Sequence, residues 1–97
     1  MYARVAVFEG ASPENIEHNI GVIREAEGPP PGVPGSRIIA LGDKRNGTLI
    51  MIGFFDSEDD LRQADAMLND MAPERPMGQR SAVHLCEVLL ERTAPSA

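Results

Sequence analysis

The sequence has few of the residues that would assign it to several common classes of protein. It carries one cysteine, Cys86, in 97 residues, which excludes an intramolecular disulfide and with it a secreted disulfide scaffold. Nine lysine and arginine residues stand against fifteen aspartate and glutamate residues, a net charge of −6, and no basic cluster occurs. Nucleic acids and anionic membrane surfaces are bound through such clusters, so we expect neither as a partner.

Long apolar runs are also missing. The stretch "LIMIGFF", residues 49–55, has no charge and no hydrogen-bonding side chain, but it is too short to cross a bilayer. The first ten residues contain no apolar segment of the length found in a signal peptide. We therefore expect a cytoplasmic protein in which the run at 49–55 forms a β-strand.

Length and composition favour a single globular domain over residues 1–97. The chain is 42% hydrophobic and 25% charged, which is an ordinary globular composition. A chain of this size buries about 60–65% of its unfolded surface, so its core is expected to be thin.

Period-two alternation predicts four β-strands, and two amphipathic segments predict helices. The first helix begins at Ser12 and Pro13, a capping residue followed by a proline suited to the first helical position. Asp56 or Ser57 caps the second helix, which spans residues 57–71. The strands are expected at residues 2–9, 36–43, 48–56 and 81–91.

The segments between these elements are expected to be irregular. "GPPPGVPG", residues 28–35, forms a loop because proline lacks an amide donor. Asn46 and Gly47 supply the positive φ angles of a hairpin turn. Residues 71–80 form a loop before the fourth strand, and residues 92–97 form a frayed tail.

The order β-α-β-β-α-β predicts a ferredoxin-like α+β fold, a four-stranded antiparallel sheet with both helices on one face. All four strands carry apolar side chains on both faces, while two helices can cover only one face. A monomer would expose a larger apolar surface than soluble proteins normally show. We therefore expect a homodimer through the helix-free sheet face, with Phe8 on that face and Phe8→Asp disrupting the dimer.

Several stretches, taken in order and spacing, are similar to one known family. The first strand reads "ARVAVFEG", the hairpin before the third strand runs from Asp43 to Gly47, the third strand ends in "DSEDDL", and the last strand contains "EV". Together they cover nearly the whole chain and resemble the antibiotic-biosynthesis-monooxygenase-like group of the dimeric α+β barrel superfamily. The resemblance implies a homodimer whose two sheets form a barrel, with ligand pockets between each sheet and its own helices.

This group includes cofactor-independent monooxygenases that act on polycyclic aromatic substrates and other members that degrade haem. The haem-degrading members use an asparagine on the first strand and a tryptophan and a histidine on the second helix, and this sequence has none of the three there. Phe55 stands where relatives often carry tryptophan. We therefore expect no haem and no other cofactor. Two functions stay open: a cofactor-independent monooxygenase acting on a small aromatic metabolite, or a non-catalytic ligand-binding or interaction dimer.

His84 is the candidate proton acceptor of a monooxygenase, since histidine can serve as an acid or a base near neutral pH. Cys86 follows two residues later and projects from the same face of the strand. Two ligands are too few for a zinc site, so no metal is expected. The alternative is that His84 is hydrogen-bonded at the sheet surface and that Cys86 is a small apolar filler. His18, on the first helix, is expected to face solvent.

A pocket for a small hydrophobic ligand is expected to involve Arg4, Phe55 and Met67 together with His84 and Cys86. Arg4 could orient an anionic or phenolic ligand, and Met67 could line an adaptable pocket. The alternatives are that Arg4 pairs with a carboxylate inside the dimer barrel and that Met67 packs in the core. An enclosed pocket at Arg4 or His84 would favour an enzyme, and a sealed core would favour a non-catalytic dimer.

Overall fold

Six segments of regular structure form in the computed structural model, which describes residues 1–26, 28, 32–71 and 75–95. In chain order they are β1 (Tyr2–Glu9), α1 (Pro13–Glu25), β2 (Arg37–Asp43), β3 (Thr48–Phe55), α2 (Glu58–Asn69) and β4 (Gln79–Glu87). Each lies where the sequence predicts a strand or a helix, and together they make an α+β fold.

The fourth strand differs most from its prediction, because it spans Gln79–Glu87 rather than residues 81–91. Gly78 has a positive φ of 74°, which turns the chain into the sheet early. At the other end, the N–H of Val88 still donates to the carbonyl of Met1 at 2.9 Å. The β1–β4 ladder ends there, with Tyr2 in register with Glu87, and the chain leaves the sheet after Val88.

Both helices begin at a serine cap, as the sequence predicts. Ser12 Oγ accepts a hydrogen bond from the N–H of Asn15 at 3.1 Å, and Pro13 occupies the first helical position. Of the two candidate caps of α2, Ser57 is used, and its Oγ accepts from the N–H of Asp60 at 3.1 Å. Each bond satisfies an amide that the first helical turn leaves without an intrahelical partner.

The four described strands form one antiparallel sheet in the order β2-β3-β1-β4. β1 lies inside the sheet, and β2 and β4 form its edges. Val5 of β1 pairs with Ile52 on one side and with His84 on the other. The β1–β4 ladder shifts register between Val7 and Phe8. This register decides which side chains share a face of the sheet.

Both helices pack on the same face of the sheet. Leu49 and Phe55 lie an even number of residues apart on β3, so their side chains point to one face. Leu49 is buried under α1 and Phe55 under α2. The cluster under α1 consists of Ala11, Ile16, Leu49 and Met77. The cluster under α2 consists of Val33, Phe55, Leu61 and Ala64.

Phe8 lies on the helix-covered face, so its predicted place on the helix-free face is wrong. It packs against the cluster under α1, and its register partner Leu49 is buried. Alternation along β1 separates two faces, but both faces are apolar, and the pattern does not identify which one the helices cover. Phe8→Asp would therefore damage the core of the single chain rather than a dimer interface.

The hairpin between β2 and β3 differs in detail from its prediction. Gly47 has a φ of 67°, and among the described residues only glycines have a positive φ, so Asn46 does not. Asn46 instead donates its side-chain amide to the carboxylate of Asp43 at 2.7 Å, which holds the turn. Three predicted irregular segments lie partly outside the described residues: 28–35, 71–80 and 92–97.

Candidate functional site

An apolar surface lies on the sheet face turned away from both helices. We call it the open face, because none of the described segments packs on it. Side chains alternate along each strand, so its members follow from the register. On β2 and β3 the apolar members are Ile39, Leu41, Ile50, Ile52 and Phe54. On β1 and β4 the members are Ala3, Val5, Val7, Ala82, His84 and Cys86.

Charged groups lie at the two ends of the open face and apolar groups lie in its middle. At one end, the Arg37 guanidinium carbon is 4.9 Å from the centre of the Phe54 ring. Asp43 and Glu9 lie at the other end, in register with Thr48. An apolar centre with a polar rim is the usual composition of a protein interface.

His84 and Cys86 project from the open face on the edge strand β4. His84 is exposed, and Cys86 is half-buried. Their register partners on β1 are Val5 and Ala3, so the pair borders an apolar surface. In the single chain, a proton acceptor at His84 would act at an exposed position. His18, the other histidine, is half-buried on α1, more covered than the sequence predicts.

Arg4 lies on the helix-covered face and is 7% exposed. Its Nε donates to Asp65 Oδ1 at 2.9 Å, and its Nη2 donates to Asn69 Oδ1 at 3.1 Å. Arg80 of β4 donates to the same Asn69 oxygen at 2.7 Å. The buried guanidinium therefore ties α2 to the sheet, and its paired position does not offer it to a ligand.

Phe55 and Met67 are part of the core under α2. Phe55 is buried with Leu61, and Met67 packs against the same cluster while half-buried. Both side chains therefore fill space between the sheet and the helix. This arrangement agrees with core packing, the alternative that the sequence left open for Met67.

Two shallow clefts open at the surface of the described residues. One of about 220 Å³ lies between α2 and the end of β4, where Leu61, Leu85 and Cys86 border it. The other, of about 180 Å³, lies between α1 and β2 and is bordered by Ile20 and Ala40. Small-molecule pockets usually enclose about 300–1,000 Å³, so both clefts are small for a substrate.

The predicted pocket residues fall into two groups on opposite faces of the sheet. Arg4, Phe55 and Met67 lie between the sheet and α2. His84 and Cys86 lie on the open face. Because the sheet separates the two groups, the five residues do not line one pocket. Of the five, Cys86 borders the larger cleft.

Polar groups of the helices take part in packing that the sequence analysis missed. Asn19 is buried in α1, and its amide both donates to the carbonyl and accepts from the N–H of Arg75, at 2.9 and 3.0 Å. Asp65 and Asn69, four residues apart on α2, hold Arg4. The sequence does contain one indication of this packing role. Each of these polar residues falls on the side of its helix where periodicity predicts burial.

Metal-binding clusters and membrane-spanning helices are two further features that bear on function. No group of three or more His, Cys, Asp or Glu side chains among the described residues could hold a metal ion. The helices formed by those residues are too short or too polar to cross a bilayer.

The chain matches no family model, no curated protein and no solved structure. The open face and the two clefts are the surface features on which a proposal of function can rest.

Proposed function

We propose that the chain functions as a homodimeric interaction module assembled through the open face. The observation that carries the proposal is the continuous apolar centre of that face. Leu41 remains 48% exposed in the single chain, and full burial of a large apolar side chain is worth about 1.5–3 kcal/mol. A second copy presents the same surface, so a two-fold pairing covers both faces at once.

The dimensions of the open face set the area that such a dimer would bury. Four strands about 4.8 Å apart, with about seven residues each at about 3.4 Å per residue, give a projected area of about 450 Å² per copy. The accessible area exceeds this projection because side chains stand up from the plane. Stable interfaces bury about 800 Å² per partner, so the projected area alone is a little over half of a standard interface. A peptide would cover only part of the face, whereas a second sheet matches its width.

The dimer that we propose is a dimeric α+β barrel in which each chain has the ferredoxin-like fold. The strand order β2-β3-β1-β4 supports it, as does the packing of both helices on one face. The same assembly is implied by the resemblance to the antibiotic-biosynthesis-monooxygenase-like group. We propose membership of that group on this basis, together with the cytoplasmic location predicted from the sequence.

A non-catalytic role fits the geometry better than a monooxygenase activity. A cofactor-independent oxygenase needs a dry pocket that holds an aromatic substrate beside a proton acceptor. The two clefts are small and shallow, and Arg4 is bonded within the core. His84 stands on the edge strand of the open face, where the proposed second copy would lie.

Leu41→Lys and Ile38→Lys form a matched pair that tests the dimer. Both residues lie on β2 and are 48% and 56% exposed, but Leu41 is on the open face and Ile38 is on the other face. We expect the wild type and Ile38→Lys to sediment as dimers at micromolar concentration. Leu41→Lys should sediment as a monomer, because a lysine ammonium would lose its hydration against the second copy.

Two results of this sedimentation experiment would contradict the proposal. One is a wild-type protein that is monomeric throughout the micromolar range. The other is a folded Leu41→Lys protein that remains as dimeric as Ile38→Lys. Circular dichroism of both variants shows whether either substitution has disturbed the fold of the single chain.

A further inference from the structure

The open face has a half with large side chains and a half with small ones. β2 and β3 contribute isoleucine, leucine and phenylalanine, whereas β1 and β4 contribute alanine, valine and cysteine, with His84 as the exception. In one row across the sheet, Leu41 and Ile50 are followed by Val7 and Ala82. The surface therefore stands higher over β2 and β3 than over β1 and β4.

This difference in height bears on how a second copy is oriented, and the inference rests on the dimer proposed above. A two-fold axis between two stacked sheets can run along the strands or across them. An axis along the strands places β4 over β2 of the second copy and β1 over its β3. An axis across the strands places each strand over the same strand of the second copy.

An axis along the strands sets the large half of one copy against the small half of the other. Ala82 then faces Leu41 of the second copy, and Val7 faces its Ile50. Stacked sheets lie about 10 Å apart, and well-packed interiors fill such a gap by opposing large and small side chains. An axis across the strands would oppose large side chains with large ones over β2 and β3. It would oppose valine with valine over β1, leaving a void between Val5 and Val7, while Ala82 would face His84 of the second copy.

The charges at the ends of the open face favour an axis across the strands, but they contribute less to the stability of the dimer than apolar packing does. An axis across the strands would bring Arg37 towards Asp43 of the second copy. Both residues are exposed, and Arg37 already stacks on Phe54. Exposed ion pairs add little to stability, whereas voids in an apolar interface lose both contacts and burial.

We therefore propose that the second copy docks with the two-fold axis parallel to the strands, so that each β4 covers β2 of the other copy. In this orientation the two edges of the stacked pair of sheets are equivalent, because each consists of β4 from one copy and β2 from the other. It also places the chain that follows β4 beside β2 of the second copy.

A double-mutant cycle on Ala82 and Leu41 tests this orientation. Within one chain the two residues lie on opposite edge strands, about 14 Å apart across three strand spacings. Their substitutions should therefore act independently unless they meet across the interface. We expect Ala82→Leu and Leu41→Ala each to raise the dimer Kd at least about tenfold, and the double variant to return within about threefold of the wild type.

Sedimentation equilibrium gives the Kd of the four proteins, and circular dichroism checks that each is folded. Ala82→Val takes the place of Ala82→Leu if the larger side chain prevents folding. A monomeric wild type would overturn the proposed dimer itself. A dimer in which the two substitutions add without rescue would overturn the axis along the strands alone. Rescue of Ala82→Leu by His84→Ala instead would establish the axis across the strands.

Discussion

Gly78 sets the point at which the edge strand β4 enters the sheet. Its φ of 74° lies in the left-handed region that favours glycine. A Cβ at this position would collide with the carbonyl oxygen of Glu9 and would lie 2.7 Å from the nitrogen of Ala11. Both the backbone conformation and the close approach of the chain after β1 therefore exclude a side chain.

We expect Gly78→Ala to lower the free energy of unfolding by about 2–3 kcal/mol, because strained backbone conformations cost about 1–3 kcal/mol each and the collision adds to this. Gly21→Ala is the control, since a Cβ at Gly21 meets nothing within 4 Å. In the interior of α1, that change should raise stability by about 0.5–1 kcal/mol. Urea denaturation measures both variants, and a Gly78→Ala protein as stable as the wild type would show that the conformation is not required.

Arg4 shows what single residues in the sequence do and do not reveal. Its place among the apolar residues of a predicted strand marks it as a candidate, but its partner Asp65 lies 61 residues further along the chain. That pairing depends on how α2 lies across the sheet, which no local pattern specifies. The sequence therefore predicts that Arg4 is a charged residue of the sheet. It does not distinguish a contact with a ligand from a structural ion pair.

At the level of strands and helices, local chemistry was enough to locate the elements. The Ser12 cap binds an amide three residues further along the chain, and the alternation of a strand is visible within a few residues. Both patterns can therefore be recognised in short stretches of sequence. The end of β4 was not predictable in this way, because it depends on the register in which β4 pairs with β1. The covered face of β1 was not predictable either, since Phe8 and Val7 are apolar neighbours that point to opposite faces.

The segment that follows β4 carries two adjacent leucines with little cover from their own chain. Leu89 is 88% exposed and Leu90 is 75% exposed. The β1–β4 ladder ends at the bond from Val88 to Met1, so these side chains continue past the edge of the open face. In the proposed dimer, the second copy would offer an apolar surface on which these leucines could pack.

We expect the double variant Leu89→Ser, Leu90→Ser to raise the dimer Kd at least about tenfold. Tenfold corresponds to about 1.4 kcal/mol, less than the about 1.5–3 kcal/mol that burial of one leucine can supply. Met71→Ser is the control, because Met71 is also exposed, at 50%, but lies just after α2. Sedimentation equilibrium measures the Kd of each protein. If both variants have the Kd of the wild type, Leu89 and Leu90 lie in solvent and the prediction is wrong.

The molecule as a whole has a thin core. Eight of the ten described buried apolar side chains form two separate clusters, one under each helix, and the exceptions are Ala3 and Ala6. A chain of this length buries only about 60–65% of its unfolded surface. Stability should therefore depend on the second copy, and unfolding should be coupled to dissociation.

Coupled unfolding and dissociation would make the midpoint of thermal unfolding depend on protein concentration. A tenfold increase in concentration changes the association free energy by about 1.4 kcal/mol, and a folding unit of 150–250 residues shifts its Tm by about 2–4 °C per kcal/mol. We therefore expect the Tm of the wild type to rise by about 3–6 °C per tenfold increase in concentration. Leu41→Lys, which removes the interface from the open face, should have a lower Tm that does not change with concentration. A wild-type Tm that is equally insensitive would mean that the single chain folds alone, with its open face exposed to water.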